Sequence, residues 1–209
     1  MGKLRIEQHV IGMVATNVYL AINSETMEAF LVDPADRAEL IADWITVKGA
    51  VLKGILLTHG HFDHVGAVNE LKKKYQVPVY AMAAERVILE DARLNLSSSW
   101  AGAFAVSCDV ELTDEEKFTL AGFEITAYHT PGHTKGGACY YIREEAVLFS
   151  GDTIFCGNIG RTDFPTGSMS ELRRSLQRMV KILPEETCVL PGHESATTIA
   201  DEKRYNPYV

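Results

Sequence analysis

The stretch Thr58-His59-Gly60-His61-Phe62-Asp63-His64 places three imidazoles and one carboxylate within six residues. It follows an apolar run, Val51–Leu57, that is typical of a buried strand, and it opens a predicted helix, Asp63–Tyr75. Nitrogen and oxygen donors are the ligands that zinc and similar divalent ions prefer. Because Gly60 permits a tight turn, His59 and His61 can converge on one ion, while Asp63 and His64 point elsewhere and can serve a second. The stretch therefore predicts metal binding.

Three further polar side chains follow predicted strands, each with a glycine directly before it. They are His133 after Phe123–His129, Asp152 after Ala146–Ser150, and His193 after Thr187–Leu190. Functional side chains of layered α/β proteins gather in the loops at strand ends, where a rigid scaffold holds them. The four strand ends therefore predict one shared centre that uses five of the seven histidines. Of the other two, His9 is interpreted as structural, and His129 as a hydrogen-bonded histidine that is either structural or supports a ligand.

The order of the predicted elements indicates an α/β fold. Short strands and helices alternate in two successive halves of the sequence. No linker separates these halves, and no fixed-period repeat is found. Two mixed sheets packed together with helices outside, a four-layer αββα sandwich, fit this order better than a doubly wound parallel sheet. Residues 92–112 are the least regular part and are interpreted as a loop or lid near the site, or as a long connection. We expect a single domain over residues 1–209.

Composition narrows the classes of partner. The 209 residues are 46% hydrophobic, as in ordinary globular proteins, and 20 Lys and Arg face 28 Asp and Glu, which gives a net charge of −8. This balance argues against nucleic acid and anionic membrane surfaces as partners. The four cysteines are widely spaced, and neither a signal peptide nor a membrane span is recognisable. We expect a cytoplasmic protein that acts on a small molecule, and its oligomeric state stays open.

Four motifs in this order resemble those of the metallo-β-lactamase superfamily. They are HxHxDH at 59–64, GHT at 132–134, GDT at 151–153 and PGHE at 191–194. Within the superfamily the chain most closely resembles the glyoxalase II (hydroxyacylglutathione hydrolase) branch, also in Leu31-Val32-Asp33-Pro34 and in Gly160-Arg161-Thr162-Asp163-Phe164. The resemblance implies a metallo-β-lactamase-type sandwich. It also implies two divalent metal ions, with zinc expected and iron or manganese as alternatives.

The resemblance further implies how the ligands are divided. One ion is expected at His59, His61 and His133, and a second at Asp63, His64 and His193, with Asp152 bridging both. In two-metal hydrolases such ions lie about 3.5–4 Å apart and share an acidic water that attacks the substrate. The carboxylates of Asp63 and Asp152 are therefore assigned to catalysis as well as to metal binding.

The activity that the resemblance implies is thioester hydrolysis of the glyoxalase II type, by a metal-bridging hydroxide. The sequence ends sixteen residues after His193, without the helical extension that supplies much of the glutathione site in that branch. Candidate substrate contacts near the metals are the basic residues Lys135 and Arg161 and the aromatic residue Tyr140.

Other activities of the same superfamily remain as alternatives. Persulfide dioxygenases resemble this chain in HxHxDH and in Gly160–Phe164, and they use one iron held by the equivalents of His59, His133 and Asp152. Lactonase and β-lactamase activities are weaker alternatives, the second because those enzymes lack a bridging ligand at the position of Asp152. A nuclease is disfavoured by the net charge of −8.

Overall fold

The computed structural model describes residues 3–209, which form two six-stranded sheets. The first sheet contains, in spatial order, β1 (Leu4–Ile11), β2 (Thr16–Asn23), β3 (Glu28–Val32), β4 (Val51–Leu56), β5 (Val79–Met82) and β6 (Val110–Leu112). The second contains, also in spatial order, β7 (Glu116–Leu120), β8 (Phe123–His129), β9 (Ala138–Ile142), β10 (Val147–Gly151), β11 (Cys188–Pro191) and β12 (Thr197–Thr198).

Both sheets are mixed. In the first, β1, β2 and β3 pair antiparallel, and β3 to β6 pair parallel. In the second, only β10 and β11 pair parallel. The helices are α1 (Ala38–Val47), α2 (Phe62–Val65), α3 (Val68–Tyr75), α4 (Arg86–Leu89), α5 (Ser97–Trp100), α6 (Met169–Ile182) and α7 (Ile199–Tyr205). The prediction of two mixed sheets with flanking helices is confirmed.

Three apolar layers hold the four structural layers together. Because side chains alternate along a strand, Leu20 and Ile22 of β2 pack toward the helices α1 and α3, whereas Tyr19 and Ala21 pack between the sheets. On the far side of the second sheet, Leu176 of α6 belongs to a third cluster, which covers the outer face of that sheet. This double packing explains why all eight residues of β2 are buried.

The predicted helix Asp63–Tyr75 is interrupted in the structure. Helix α2 ends at Val65 and α3 begins at Val68. Between them Gly66 packs so closely that a Cβ atom there would lie 2.3 Å from the carbonyl oxygen of Ala35. The break is thus a tertiary contact, which the apolar spacing of the segment does not reveal.

Residues 92–112 are a folded connection that packs beside the HxHxDH motif. The buried side chain of Asn95 donates hydrogen bonds to the carbonyl oxygens of Leu89 and Phe104. The backbone carbonyl oxygen of Asn95 accepts from Phe62 N at 2.8 Å. The segment then forms β6 at the edge of the first sheet. In the part of the chain described here, residues 3–209, no helix is both long and apolar enough to cross a bilayer.

Candidate metal centre

Loops from both sheets bring the seven predicted ligands together. The loop after β4 and helix α2 carry His59, His61, Asp63 and His64, and the loops after β8, β10 and β11 carry His133, Asp152 and His193. The loop of His193 is held across the sheets by β2. The Asn17 side chain and the Tyr19 hydroxyl both donate to the carbonyl oxygen of Pro191, at 2.9 and 2.7 Å. Asn17 N donates to the carbonyl oxygen of Gly192 at 2.8 Å.

We call His59, His61 and His133 the first group. Each offers a ligand atom within 4.8 Å of the others, and all three side chains are buried. His61 Nδ1 lies 2.9 Å from His133 Nε2, and the ring of His59 meets both other rings edge to face. Three imidazole nitrogens thus converge on one point, which is the donor set that zinc or iron accepts.

Asp63, His64 and His193 form the second group. His64 Nε2 lies 3.2 Å from His193 Nε2, and Asp63 Oδ2 lies 3.5 and 3.4 Å from these two nitrogens. The side chains of Asp63 and His193 are 13% and 18% exposed, whereas His64 is fully buried. The second group therefore forms the solvent side of the centre, where a substrate can approach.

Asp152 lies between the two groups. Its Oδ2 is 3.4 Å from His133 Nε2 of the first group and 3.6 Å from His193 Nε2 of the second. Its Oδ1 is 3.5 Å from His64 Nε2. A single carboxylate thus faces ligands of both groups, which is the arrangement that a bridging ligand requires.

The residues present fit two cations. Buried polar atoms almost always have partners, yet His59 Nε2, His61 Nε2 and Asp152 Oδ1 are buried without a hydrogen-bond partner in the described residues. One cation coordinated by His59 Nε2 would satisfy that nitrogen, and a second cation beside Asp152 Oδ1 would satisfy that oxygen. The mixture of imidazole nitrogens and carboxylate oxygens is the chemistry of zinc, iron and manganese sites.

The first group is poised as neutral imidazole. Burial holds the pKa of His59 and the pKa of His61 well below the usual value of histidine. Burial also lowers the pKa of His133, although the nearby carboxylate of Asp152 opposes this effect. Since a histidine must be neutral to bind a metal ion, burial prepares this group for coordination.

The second group instead favours positive charge. Burial opposes the charge on His64, but three nearby carboxylates outweigh it and raise the pKa of His64 to about 10. These carboxylates belong to Asp63, Asp152 and Asp33. Burial likewise opposes ionisation of Asp63, but His64 and His193 hold its pKa below the usual value. A divalent cation would supply the positive charge that these carboxylates favour.

Hydrogen bonds on the far side of the rings orient two of the ligands. His64 Nδ1 lies 2.9 Å from Asp33 Oδ2, and His133 Nδ1 donates to the carbonyl oxygen of Arg161 at 2.7 Å. Both contacts leave Nε2 facing the centre, as partners of metal-binding histidines generally do. Asp33 also accepts from the backbone and hydroxyl of Thr58, next to His59. It was not among the predicted site residues, although it follows β3 as Asp152 follows β10.

The predicted substrate contacts divide. Tyr140 requires a correction, because it is fully buried between the sheets and its hydroxyl donates to the carbonyl oxygen of Leu57 at 2.7 Å, so it is not accessible to a substrate. Arg161 is exposed, pairs with Asp163, and stacks at 4.0 Å on the ring of Phe164, which in turn contacts His61. Lys135 is exposed two residues after His133.

Comparison with known proteins identifies the family. The model of the metallo-beta-lactamase superfamily matches residues 11–193. This chain therefore belongs to the metallo-β-lactamase superfamily.

Two curated relatives carry enzyme names. The chain is 34% identical to a probable metallo-hydrolase, YqgX, of Bacillus subtilis, over 95% of this chain and 94% of that protein. It is 35% identical to the hydroxyacylglutathione hydrolase GloC of Haemophilus influenzae, over 87% of each. Both names describe hydrolases.

Three solved structures share the fold. The B3 metallo-β-lactamase BLEG-1 superposes with a TM-score of 0.92 at 40% identity, over 98% of this chain and 99% of that one. TTHA1623, in a di-iron-bound form, gives 0.86 at 35% identity, over 97% and 100%. ETHE1 from Myxococcus xanthus gives 0.81 at 28% identity, over 97% and 83%. The likeness extends over nearly the whole of this chain in each case.

Proposed function

We propose that this protein is a dinuclear metal-dependent hydrolase that cleaves thioesters of the glyoxalase II type. The observation that carries the proposal is the position of Asp152, whose carboxylate faces ligands of both groups. A centre for one ion has no need of Asp63 and His193 on the far side of this carboxylate. The relationship to GloC and the di-iron-bound form of TTHA1623 support the substrate class and the number of ions.

In this proposal the first group and the second group would each hold one divalent cation, and the carboxylate of Asp152, which faces both groups, would contribute to both sites. When bound, the ions supply a Lewis acid for the carbonyl oxygen and lower the pKa of a water molecule toward neutrality. Asp33 and the carbonyl oxygen of Arg161 keep His64 and His133 in the tautomers that binding requires. No serine or cysteine nucleophile is needed.

The exposed groups next to the first group suggest where an anionic thiol carrier binds. Phe164 holds the guanidinium of Arg161 beside His61, and Lys135 follows His133. Asp163 shares the charge of Arg161, but an exposed ion pair of this kind contributes little free energy and can open for a substrate.

The four cysteines are unpaired in residues 3–209, which supports the proposal of a cytoplasmic location.

The experiment that tests the proposal is metal analysis on the sample used for two assays. One assay follows cleavage of a hydroxyacylglutathione thioester, and the other follows oxygen uptake on glutathione persulfide. We expect two ions per chain and thioester cleavage without oxygen consumption. A single iron per chain, with oxygen uptake and no thioester cleavage, would overturn the proposal.

Two further activities are supported by particular observations. A one-iron persulfide dioxygenase needs only His59, His133 and Asp152, and these three lie together, with His133 Nε2 3.4 Å from Asp152 Oδ2. The 40% identity to the B3 metallo-β-lactamase BLEG-1 supports β-lactam hydrolysis as well. The same sample assayed on a penicillin and a cephalosporin separates that activity from thioester cleavage.

A further inference from the structure

A buried carboxylate joins the two loops that carry the first group. Glu85 lies in the turn between β5 and α4, and its side chain is fully buried. Its Oε1 accepts a hydrogen bond from Gly60 N at 2.7 Å. Its Oε2 accepts from the Thr134 hydroxyl at 2.9 Å and from Gly136 N at 2.7 Å. Sequence patterns gave no sign of this residue, because its partners are distant along the chain.

Two of the three partners of Glu85 are immediate neighbours of proposed metal ligands, and the third, Gly136, lies in the same loop as His133. Gly60 stands between His59 and His61, and Thr134 follows His133. The packing around the carboxylate is close, since a Cβ atom on Gly136 would lie 2.2 Å from Glu85 N. A fully buried carboxylate is costly unless its lone pairs accept hydrogen bonds, so the two loops are strongly held against this one side chain.

We infer that Glu85 is a positioning residue for the first group, because it sets the separation between the loop of His59 and His61 and the loop of His133. This inference rests on the metal assignment proposed above. Among residues 3–209, the Glu85 carboxylate accepts hydrogen bonds from none of the proposed ligand side chains. Its effect on them passes through the backbone of Gly60 and Gly136 and through the hydroxyl of Thr134.

The chain offers a matched control in Glu202. This carboxylate is also buried, and it accepts from Gly157 N, from the Thr197 hydroxyl and from the Asn206 amide. These partners lie outside the loops of the first group. Glu202 therefore reproduces the burial and hydrogen bonding of Glu85 without the contact to those loops.

The test measures metal affinity directly, with Zn²⁺ titrated into metal-free protein against a chromophoric chelator. In Glu85→Gln the amide has the size of the carboxylate, but its NH₂ group cannot accept from a backbone N–H. We expect one of the two ions to bind 10–100-fold more weakly and the other to keep its affinity. The ion affected should be the one that His61→Ala removes, so that adding Glu85→Gln to His61→Ala leaves the remaining affinity unchanged.

The control variant Glu202→Gln should lower the thermal midpoint of the metal-free protein and leave both affinities as in the wild type. If Glu85→Gln fails to fold, Thr134→Val removes one donor while keeping the side-chain shape, and it should weaken the same ion several-fold. Wild-type affinities for both ions in a folded Glu85→Gln protein would overturn the inference, and so would equal weakening of both. A wild type that binds only one ion would overturn the dinuclear proposal. The inference about Glu85 would then be tested by the affinity of Glu85→Gln for that one ion.

Discussion

At the scale of single residues, the proposal of a dinuclear centre depends most on the side chain of Asp152. It faces His133 of the first group and both histidines of the second at 3.4 to 3.6 Å. We expect Asp152→Ala to remove most of the hydrolytic activity and at least one ion, because both groups lose a shared oxygen ligand. Metal analysis with steady-state kinetics checks this, and Asp201→Ala, on the exposed side of α7, serves as the control. Two ions and near-normal turnover in Asp152→Ala would show that it does not bridge.

Arg161 and Lys135 are tested by kinetics rather than by metal content. If either binds an anionic thiol carrier, replacement by alanine should chiefly raise KM and leave kcat nearly unchanged, since the interaction is the same in the ground state and the transition state. Lys117→Ala is the control, because this exposed lysine of β7 pairs with the exposed Glu124 of β8, away from the centre. Unaltered KM in both variants would return the two residues to an ordinary surface role.

Gly132 packs so closely against helix α6 that no residue with a side chain fits at its position. Its φ is +135°, and a Cβ atom there would lie 2.1 Å from the backbone nitrogen of Leu172 in α6. Gly49, with φ at +65° and open space around it, isolates the cost of the backbone conformation alone. We expect Gly49→Ala to cost about 1 kcal/mol of unfolding free energy, and Gly132→Ala clearly more. Urea denaturation measures both, and equal costs would contradict the packing argument.

The site could be predicted from the sequence where the chemistry is local. Histidines and aspartates crowded after glycine turns are unusual, so the ligands were recognisable as a set. Asp33 and Glu85 were missed because their hydrogen bonds join loops that only the fold brings together. The prediction for Tyr140 was wrong because the sequence of a strand does not show which face of the sheet a tyrosine occupies. In the structure Tyr140 lies on the face of β9 that packs between the two sheets.

At the scale of elements, the strands followed the sequence closely and the helices less so. β8 begins and ends where it was predicted, and β10 is shifted by one residue, because apolar runs of strand length between turns indicate both. The helix predicted over Asp63–Tyr75 is broken at Gly66, where the carbonyl oxygen of Ala35 occupies the space of a side chain. Such a break depends on a neighbour that is distant in sequence, so helical periodicity alone cannot show it.

Helix α6 is fixed to the loop of His133 at its first turn. Ser168 precedes the helix and its hydroxyl accepts from Glu171 N, while Ser168 N donates to the carbonyl oxygen of Gly132. We expect Ser168→Ala to lower the free energy of unfolding by about 1 kcal/mol, because a helix N-terminal amide loses its acceptor. Arg174→Ala, at an exposed position of the same helix, should change it by less than about 0.5 kcal/mol. Chemical denaturation decides, and equal effects would mean that the cap contributes nothing.

At the scale of the whole molecule, the centre connects the two sheets. The first sheet supplies His59, His61, Asp63 and His64, and the second supplies His133, Asp152 and His193. The two-sheet arrangement was predictable from the order of elements. The place of β6 was not, because parallel pairing with β5 joins it to the sheet across the irregular segment 92–112.

Metal removal should therefore loosen the whole molecule. We expect a chelator to lower the thermal midpoint, and added Zn²⁺ to raise it progressively with concentration, since an ion that binds only the folded state stabilises it by mass action. Calorimetry at several metal concentrations measures this effect. Asp152→Ala is the comparison and should show a weaker dependence on Zn²⁺. A wild-type midpoint that is indifferent to both chelator and metal would show that the ions do not join the sheets.

The hydrogen bonds from Asn17 and Tyr19 to Pro191 join residues more than 170 positions apart. Contacts of such long range form late in folding, because a large loop must close before they are gained. These hydrogen bonds hold the loop of His193 against the first sheet, and the ligands come from loops of both sheets, so a chain in which only one sheet has formed holds at most part of the ligand set. Where proteins compete for divalent ions in a cell, fully folded chains would then bind the ions in preference to partly folded ones. Holding both ions would thus be a mark of a chain that has completed its fold.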